Sequence, residues 1–275
     1  MSLKADLLKV GTDQKHLKES SYKTADKLDV RILTHQKYTQ PQVDFYPWIV
    51  NQIDWVGDEV VFDIGCGSGK YADIVSNLSA HYFACDLSHG MLMDGPAKEH
   101  SCINLDAMTL PIKDNAADVI FANHMIYHIP DQEKAMAEFR RVLKPNGKFI
   151  AATNSSNTML ELKALRSNAL KALGAKFESD NFGISDGFDL ESGADLLATS
   201  FEQVETRTLE NWLVIPEAQP VIDYIESGRD WYESFLPDGL VWGDYEAALR
   251  QLLNEHFASN VEFRVSKKTG AFVCS

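Results

Sequence analysis

Basic residues are scarce in this chain. Lys and Arg number 26 against 40 Asp and Glu, a formal net charge of -14 over 275 residues. Neutralising phosphates takes Lys and Arg, so this balance leans against a nucleic-acid partner. It leans equally against an anionic membrane surface. Cysteine is scarce too, with Cys66, Cys85, Cys102 and Cys274 making up the whole set. No two form a CxxC pair, which removes the zinc ribbon and the redox dithiol. Three fall on or beside expected strands, where a free thiol acts as a small buried hydrophobe. Reduced thiols and a cytoplasmic setting follow. No apolar run approaches the length needed to cross a bilayer. The opening stretch, MSLKADLLKVGTDQ, has neither the apolar core nor the cleavage pattern of a signal peptide. Internal repeats and low-complexity tracts are also lacking.

What is present is an ordinary globular composition, 45% hydrophobic and 24% charged. It suits one large domain, or a domain with a subdomain. Residues 1–20 are polar, and partial disorder is the expectation there. Tyr22–Tyr38 is expected to be helical, with Ala25, Leu28, Ile32 and His35 on one face. From Glu59 onwards, strands and helices alternate. EVVFDIG, HYFACDLS, SCINLDA, ADVIFANHM and GKFIAATN read as strands. KYADIVSNLS, GMLMDG and DQEKAMAEFRRVL read as helices, the last capped by Asp131 and left through a KPNG turn. Such alternation means a parallel sheet with helices on both faces, an α/β doubly wound fold. Ligands of these sheets sit at the carboxyl ends of the strands. Asp63, Asp86, Asp106 and Asn123 all fall there.

The remainder is expected to hold helices at Thr158–Gly174 and at EAQPVIDYIESG and DYEAALRQLLNEHF. EQVETRTLENWLVI reads as one long strand or a strand pair. VEFRVSKKTGAFVCS reads as a hairpin around KKTG. This half would supply closing strands of the same sheet, plus inserted helices forming a lid over its carboxyl edge.

The stretch EVVFDIGCGSGKYADIV poses the functional question, because a glycine-rich bend between strand and helix brings backbone close to a ligand. A Walker A loop needs Gly, four residues, then Gly-Lys-Ser/Thr. Here the first position is Ile64 and the last is Tyr71, so both fail. A dinucleotide fingerprint needs GxGxxG. Counted from Gly65, its final position is Lys70. The pattern is instead Asp-x-Gly-x-Gly-x-Gly, from Asp63 to Gly69. An acid just before the bend would repel a pyrophosphate but suits a ligand with an amino group.

VFDIGCGSGK resembles the first motif of the class I S-adenosylmethionine-dependent methyltransferases. FACDLS, ending in Asp86, falls in order behind it. LDAMTLPIKDNAADVIFANHMIYHIPDQEKAMAEFRRVLKPNGKFIAAT is similar to the third to fifth motifs of that superfamily, in its small-molecule, type 11/25-like branch. The resemblance covers about residues 43–153. It implies a Rossmann-like, mostly parallel seven-stranded sheet with an antiparallel last strand. Residues 1–42 would be an N-terminal helical cap, 43–153 the cofactor-binding core, and 154–275 the remaining strands with lid helices for the acceptor.

The implied cofactor is S-adenosylmethionine, with no metal. Gly65 and Gly67 would let backbone touch its methionine part. Asp63 would attract the ammonium, directly or through the loop. Asp86, followed by Leu87, would accept from the ribose hydroxyls. Asp106 and Ala107 would meet the adenine, with Met108 packing on its face. Asn123 would lie near the sulfonium. From the cap, Arg31 is a candidate to fork onto the cofactor carboxylate, and Tyr22 would close beside it. An ordinary surface Arg is the competing reading.

On the acceptor side, NHMIYHIPD carries His124 and His128. His titrates near neutrality, so either could serve as general base, His128 before His124. The alternative is a histidine packed beneath the lid and bonded to a backbone carbonyl. Tyr127 poses the same choice. The inserted segments are rich in rings: Phe177, Phe182, Phe188, Trp212, Trp231, Tyr232, Phe235 and Trp242. Pockets for organic acceptors are mostly apolar, although most such rings belong to a core. The expected function is methyl transfer to an O, N or C nucleophile of a small metabolite, by a monomer or homodimer. An NAD-dependent oxidoreductase, a non-catalytic cofactor-binding regulator and a lipid-cyclopropanating enzyme are the alternatives.

Overall fold

The computed structural model describes residues 3–79, 81–175 and 183–275. Its centre is an eight-stranded sheet in the order β1-β7-β8-β6-β5-β2-β3-β4. The strands are β1 (Thr39–Gln40), β2 (Val60–Ile64), β3 (His81–Asp86), β4 (Ser101–Asn104), β5 (Ala117–Phe121), β6 (Leu143–Asn154), β7 (Val204–Ile215) and β8 (Phe263–Cys274). β4, β3, β2, β5 and β6 run parallel. β8 is antiparallel to both neighbours, β6 and β7. The expected last antiparallel strand is therefore present. The eighth strand, β1, is a two-residue edge piece on β7 that sequence reading did not separate from the cap helix.

Alternation along β2 explains how two cores form. Successive side chains point to opposite faces of a strand. Phe62 and Ile64 enter one cluster with Ile120, Phe139 and Phe149. Val61 enters the other with Ala84, Val119, Phe121 and Ile150. Helix Gln132–Val142 packs Ala135, Met136, Phe139 and Val142 against the first of these. Its N-terminus is capped by Asp131, which accepts from Lys134 N. The KPNG residues do not end the helix as a free turn. Strand β6 starts at Leu143, and the register against β5 jumps between Ala117 and Val119 to leave them looped out.

A third core sits beyond the end of β6. There β7 and β8 continue as a pair, and helices Leu160–Ala172, Ala218–Glu226 and Trp242–Phe257 pack on them through Leu165, Ile222, Leu249, Leu213 and Val265. These are the helices expected as a lid, called the lid below, and they form a packed subcore. The expected KKTG hairpin does not exist, because residues 263–274 form one strand. EQVETRTLENWLVI is likewise one strand.

The N-terminal region is more ordered than its polarity suggests. Helix Leu3–Gly11 precedes a short turn of helix at Gln14–His16 and a π-helical turn at Leu17–Ser21. Leu7 is fully buried against the lid subcore. The cap helix begins at Asp26, four residues later than expected, and runs to Tyr38.

Candidate active site

Strand β2 ends at Ile64 and the chain turns sharply. Gly65, Gly67 and Gly69 have φ of +71°, +58° and +82°. Side chains rarely tolerate that region. A Cβ on Gly65 would also lie 2.7 Å from Met125, and one on Gly69 would lie 2.6 Å from the backbone N of Ala97. The turn is stitched to β3, since Gly65 N and Cys66 N both donate to Cys85 O at 2.7 and 3.0 Å. Gly67 N donates to Asp86 Oδ2 at 2.8 Å, and Ser88 N donates to Oδ1 at 2.7 Å. Burial raises the Asp86 carboxyl, and these two N–H groups partly offset it.

A cavity of about 620 Å³ opens above this loop. Gly65, Gly67, Asp86, Leu87, Asp106 and Ala107 line it, as do Asn123, His124, His128, Tyr22 and Arg31. Eleven of the thirteen candidate residues therefore converge. Two do not. Asp63 shares the Val61 face of β2 and lies under the loop, where it accepts from Tyr82 Oη at 2.7 Å. Burial lifts its carboxyl to about 7 against the pull of that hydrogen bond. Met108 packs on the core beneath the sheet edge instead of the cavity. The thioethers that line the wall are those of Met91, which is fully buried, Met125 and Met159.

Asp106 is held at both oxygens. Met108 N donates to Oδ1 and Gln14 Nε2 to Oδ2, each at 2.9 Å. Asn123 is buried, and its Oδ1 accepts from Ala152 N at 3.0 Å, while its Nδ2 has no partner. An unsatisfied buried donor at a cavity wall is costly unless a ligand meets it.

The cap is pinned over the loop. Ser88 Oγ donates to Tyr22 O at 2.7 Å, Ala25 N to Asp94 Oδ2 at 2.9 Å, and Lys70 pairs with Asp29 at 2.8 Å. Lys70 is thus no free surface group. Lys27 of the cap also pairs with Asp230 of the lid. Arg31 donates to Ser227 O at 2.8 Å and keeps other donors on the cavity side.

His128 makes the backbone-carbonyl bond of the packed reading and also bonds a phenol. Nδ1 bonds Gly11 O at 2.8 Å, and Nε2 bonds Tyr22 Oη at 3.0 Å. A carbonyl only accepts, so Nδ1 carries the proton and Nε2 takes one from Tyr22. Trp231 stacks on the ring at 5.8 Å. Burial pushes His128 down to about 4, so it is neutral at neutral pH. His124 has φ +54° and is likewise held at about 4, by burial and then by the nearby Lys267 charge. Tyr127 lines the same region, its phenol raised by burial. Among the described residues, no three His, Cys, Asp or Glu side chains gather as metal ligands would.

Of the aromatic residues, Trp231 and Tyr232 reach the cavity. Phe188 belongs to the sheet core, and Trp242 and Phe235 to the lid subcore. Trp212 is surface-exposed beside Arg264. Phe177 and Phe182 lie outside the described residues. Sequence reading missed Phe45, Tyr46, Arg166, Tyr224 and Lys267, all of which line the cavity. For Lys267 the signal was partial: alternation over residues 263–266 marks a strand, and Lys267 falls on the Phe263 and Val265 face of it.

Residues 62–151 match the family described as a methyltransferase domain, of the type 11 kind. The chain resembles a malonyl-[acyl-carrier protein] O-methyltransferase of Xylella fastidiosa, with 26% identity over 161 residues, 55% of this chain and 52% of that protein. It also resembles a tRNA (carboxymethyluridine(34)-5-O)-methyltransferase of Arabidopsis thaliana, with 32% identity over 97 residues, 34% of this chain and 23% of that one. The chain spans about half or less of the length of these curated relatives. In fold it is similar to a phosphoethanolamine N-methyltransferase of Haemonchus contortus solved with S-adenosylhomocysteine, at TM-score 0.53 and 14% identity over 96% of this chain and 59% of that one. No described helix is long and apolar enough to cross a membrane. With its matched motifs, the segment at residues 62–151 is a methyltransferase domain of the type 11 kind, and the sheet that carries it has the fold of solved methyltransferases.

Proposed function

We propose that this chain transfers a methyl group from S-adenosylmethionine to an oxygen, nitrogen or carbon nucleophile of a small organic molecule. One observation carries the reading: a continuous cavity of about 620 Å³ starts on the glycine loop and runs under the cap and lid to Tyr22, His124 and Lys267. That volume lies in the range of small-molecule sites, roughly 300–1,000 Å³. The residues fit the donor. The loop backbone is bared at Gly65 and Gly67, Asp86 forms the wall beyond it, and the Asn123 amide waits unpartnered.

When bound, S-adenosylmethionine supplies a methyl group made electrophilic by its sulfonium. Asp86 would accept from the ribose hydroxyls, using lone pairs left free by Gly67 and Ser88. Leu87, Asp106 and Ala107 would meet the adenine. Arg31 would fork onto the carboxylate, and Asp63 would act from beneath the loop. Cap and lid exclude water and hold the nucleophile in line. Tyr22 Oη, bonded to His128 Nε2, would take a proton from an acceptor while passing its own to that nitrogen. An oxygen or carbon nucleophile needs that step, whereas a neutral amine mainly needs orientation.

A nucleic-acid acceptor is the second reading, favoured by the tRNA-modifying relative. The net charge of -14 weighs against it. The test is incubation with radiolabelled S-adenosylmethionine, a metabolite panel and, separately, bulk tRNA. Label in a metabolite supports the proposal, and label in tRNA alone replaces it. If calorimetry detects no binding of S-adenosylhomocysteine, the methyltransferase reading fails altogether.

A further inference from the structure

We infer that the acceptor carries an oxyanion, a carboxylate or a phosphate monoester, and that Arg166 and Lys267 hold it. This rests on the methyltransferase reading and deepens it. The cavity is divided by charge. Asp86 and Asp106 stand on the glycine-loop side, at the ends of β3 and β4. Asp44, the other carboxylate on the wall, acts on Tyr46. At the lid end the groups are cationic.

Arg166, on helix Leu160–Ala172, lies over the Tyr232 ring at 4.3 Å. Its Nε is buried and has no hydrogen-bond partner. A guanidinium is a fork of five donors shaped for a planar or tetrahedral oxyanion. Lys267 comes from the part of β8 that runs past the end of β6, opposite Asn211 of β7. Its neighbour Lys268 faces the other way and pairs with Glu210 at 2.9 Å. Among the described residues Lys267 has no such counterion. Burial alone acts on its ammonium and brings it down to about 8. The nearby titratable groups are His35 and His124, both pushed neutral, at about 3 and about 4. Tyr224 Oη bonds His35 Nε2 at 3.3 Å, and His35 Nδ1 is left without a partner.

Both side chains are half-buried, and a cation drawn from water without a counterion is costly. The chain has 40 carboxylates, yet among the described residues none is seen to pair with the Arg166 Nε or to act on the Lys267 ammonium. The cofactor's own carboxylate needs a single fork, and Arg31 stands ready for it. Two further cations exceed that need. A ligand that brings its own negative charge satisfies them, and it would enter beside His124, where the sulfonium is expected. Whether the oxyanion is itself methylated or anchors another nucleophile, it would seat on the same pair.

The experiment is calorimetric titration of the full chain saturated with S-adenosylhomocysteine. The probes are benzoate and phenyl phosphate, each against its neutral counterpart, benzamide and phenol. We expect the anions to bind at least about tenfold tighter than the neutral probes. Arg166→Met and Lys267→Met should each weaken anion binding by on the order of tenfold or more, and Lys267→Arg should restore it. S-adenosylhomocysteine affinity should be unchanged in all three. Preference for benzoate assigns a carboxylate, and preference for phenyl phosphate assigns a phosphate. Equal binding of neutral probes, full anion binding by both Met variants, or no anion binding at millimolar concentration overturns the inference. Melting curves identify a variant that fails to fold, and the other variant then carries the test. Failure of the wild type to bind S-adenosylhomocysteine overturns the methyltransferase reading instead.

Discussion

Asp63 and Asp86 end adjacent strands, yet they do different work. Asp86 faces the cavity and is bonded by two backbone N–H groups. Asp86→Ala strips both of their acceptor, at about 1–3 kcal/mol for each unpaired donor. It should lower the melting temperature and cut S-adenosylhomocysteine affinity, and wild-type affinity by calorimetry would remove Asp86 from the site. Asp63 is fully buried under the loop, with its carboxyl raised to about 7. Unfolded, it titrates near pH ~4. Between those values the native state holds a proton that the unfolded chain has released. Its favourable contribution is therefore full below about pH 4 and is lost as pH rises through about 7. Asp63→Asn keeps an acceptor for Tyr82 and should melt several degrees above wild type at pH 8, with little difference near pH 4. Equal melting curves at both pH values would refute this. At this scale the glycine loop, Asp86 and Asp106 were legible, because contiguous spacing carried them. Arg166 and Lys267 were not, since they are a hundred residues apart and only the fold brings them together.

The elements show where local pattern misled. KKTG has the composition of a turn, and it was read as the bend of a hairpin. In the structure Gly270 lies mid-strand, where a Cβ would stand 2.3 Å from Arg207 O of β7. The glycine is there for close approach of two backbones, a role that composition does not distinguish from turning. Gly270→Ala should cost about 1–3 kcal/mol or more through overpacking, read as a lowered denaturant midpoint. An unchanged midpoint would mean that β7 and β8 can part without loss. The cap segment offers a functional prediction. Tyr22→Phe removes only the hydroxyl that bonds His128. Turnover of an oxygen acceptor should fall by about 10²–10⁴, with S-adenosylhomocysteine affinity retained. Unchanged turnover removes the Tyr22–His128 pair from proton transfer.

The molecule as a whole was legible where strands and helices alternate. Residues 59–154 gave the parallel sheet through their hydrophobic runs. The lid and the first residues were less legible, because their order comes from burial against each other. Leu7 lies in a polar stretch and becomes buried only because lid helices cover it. Cap and lid share the cavity wall, so a ligand that joins them should stiffen the whole protein. S-adenosylhomocysteine at a hundredfold excess over its Kd should add about 2.7 kcal/mol to unfolding, seen as a raised melting temperature. No shift would mean that the native protein does not bind S-adenosylhomocysteine. The cavity wall also draws on Gln14 near one end of the chain and Thr269 near the other. During synthesis the glycine loop emerges long before β8 does. Until residue 269 has emerged, the nascent chain has a cavity with one side missing, so the cavity closes late in synthesis.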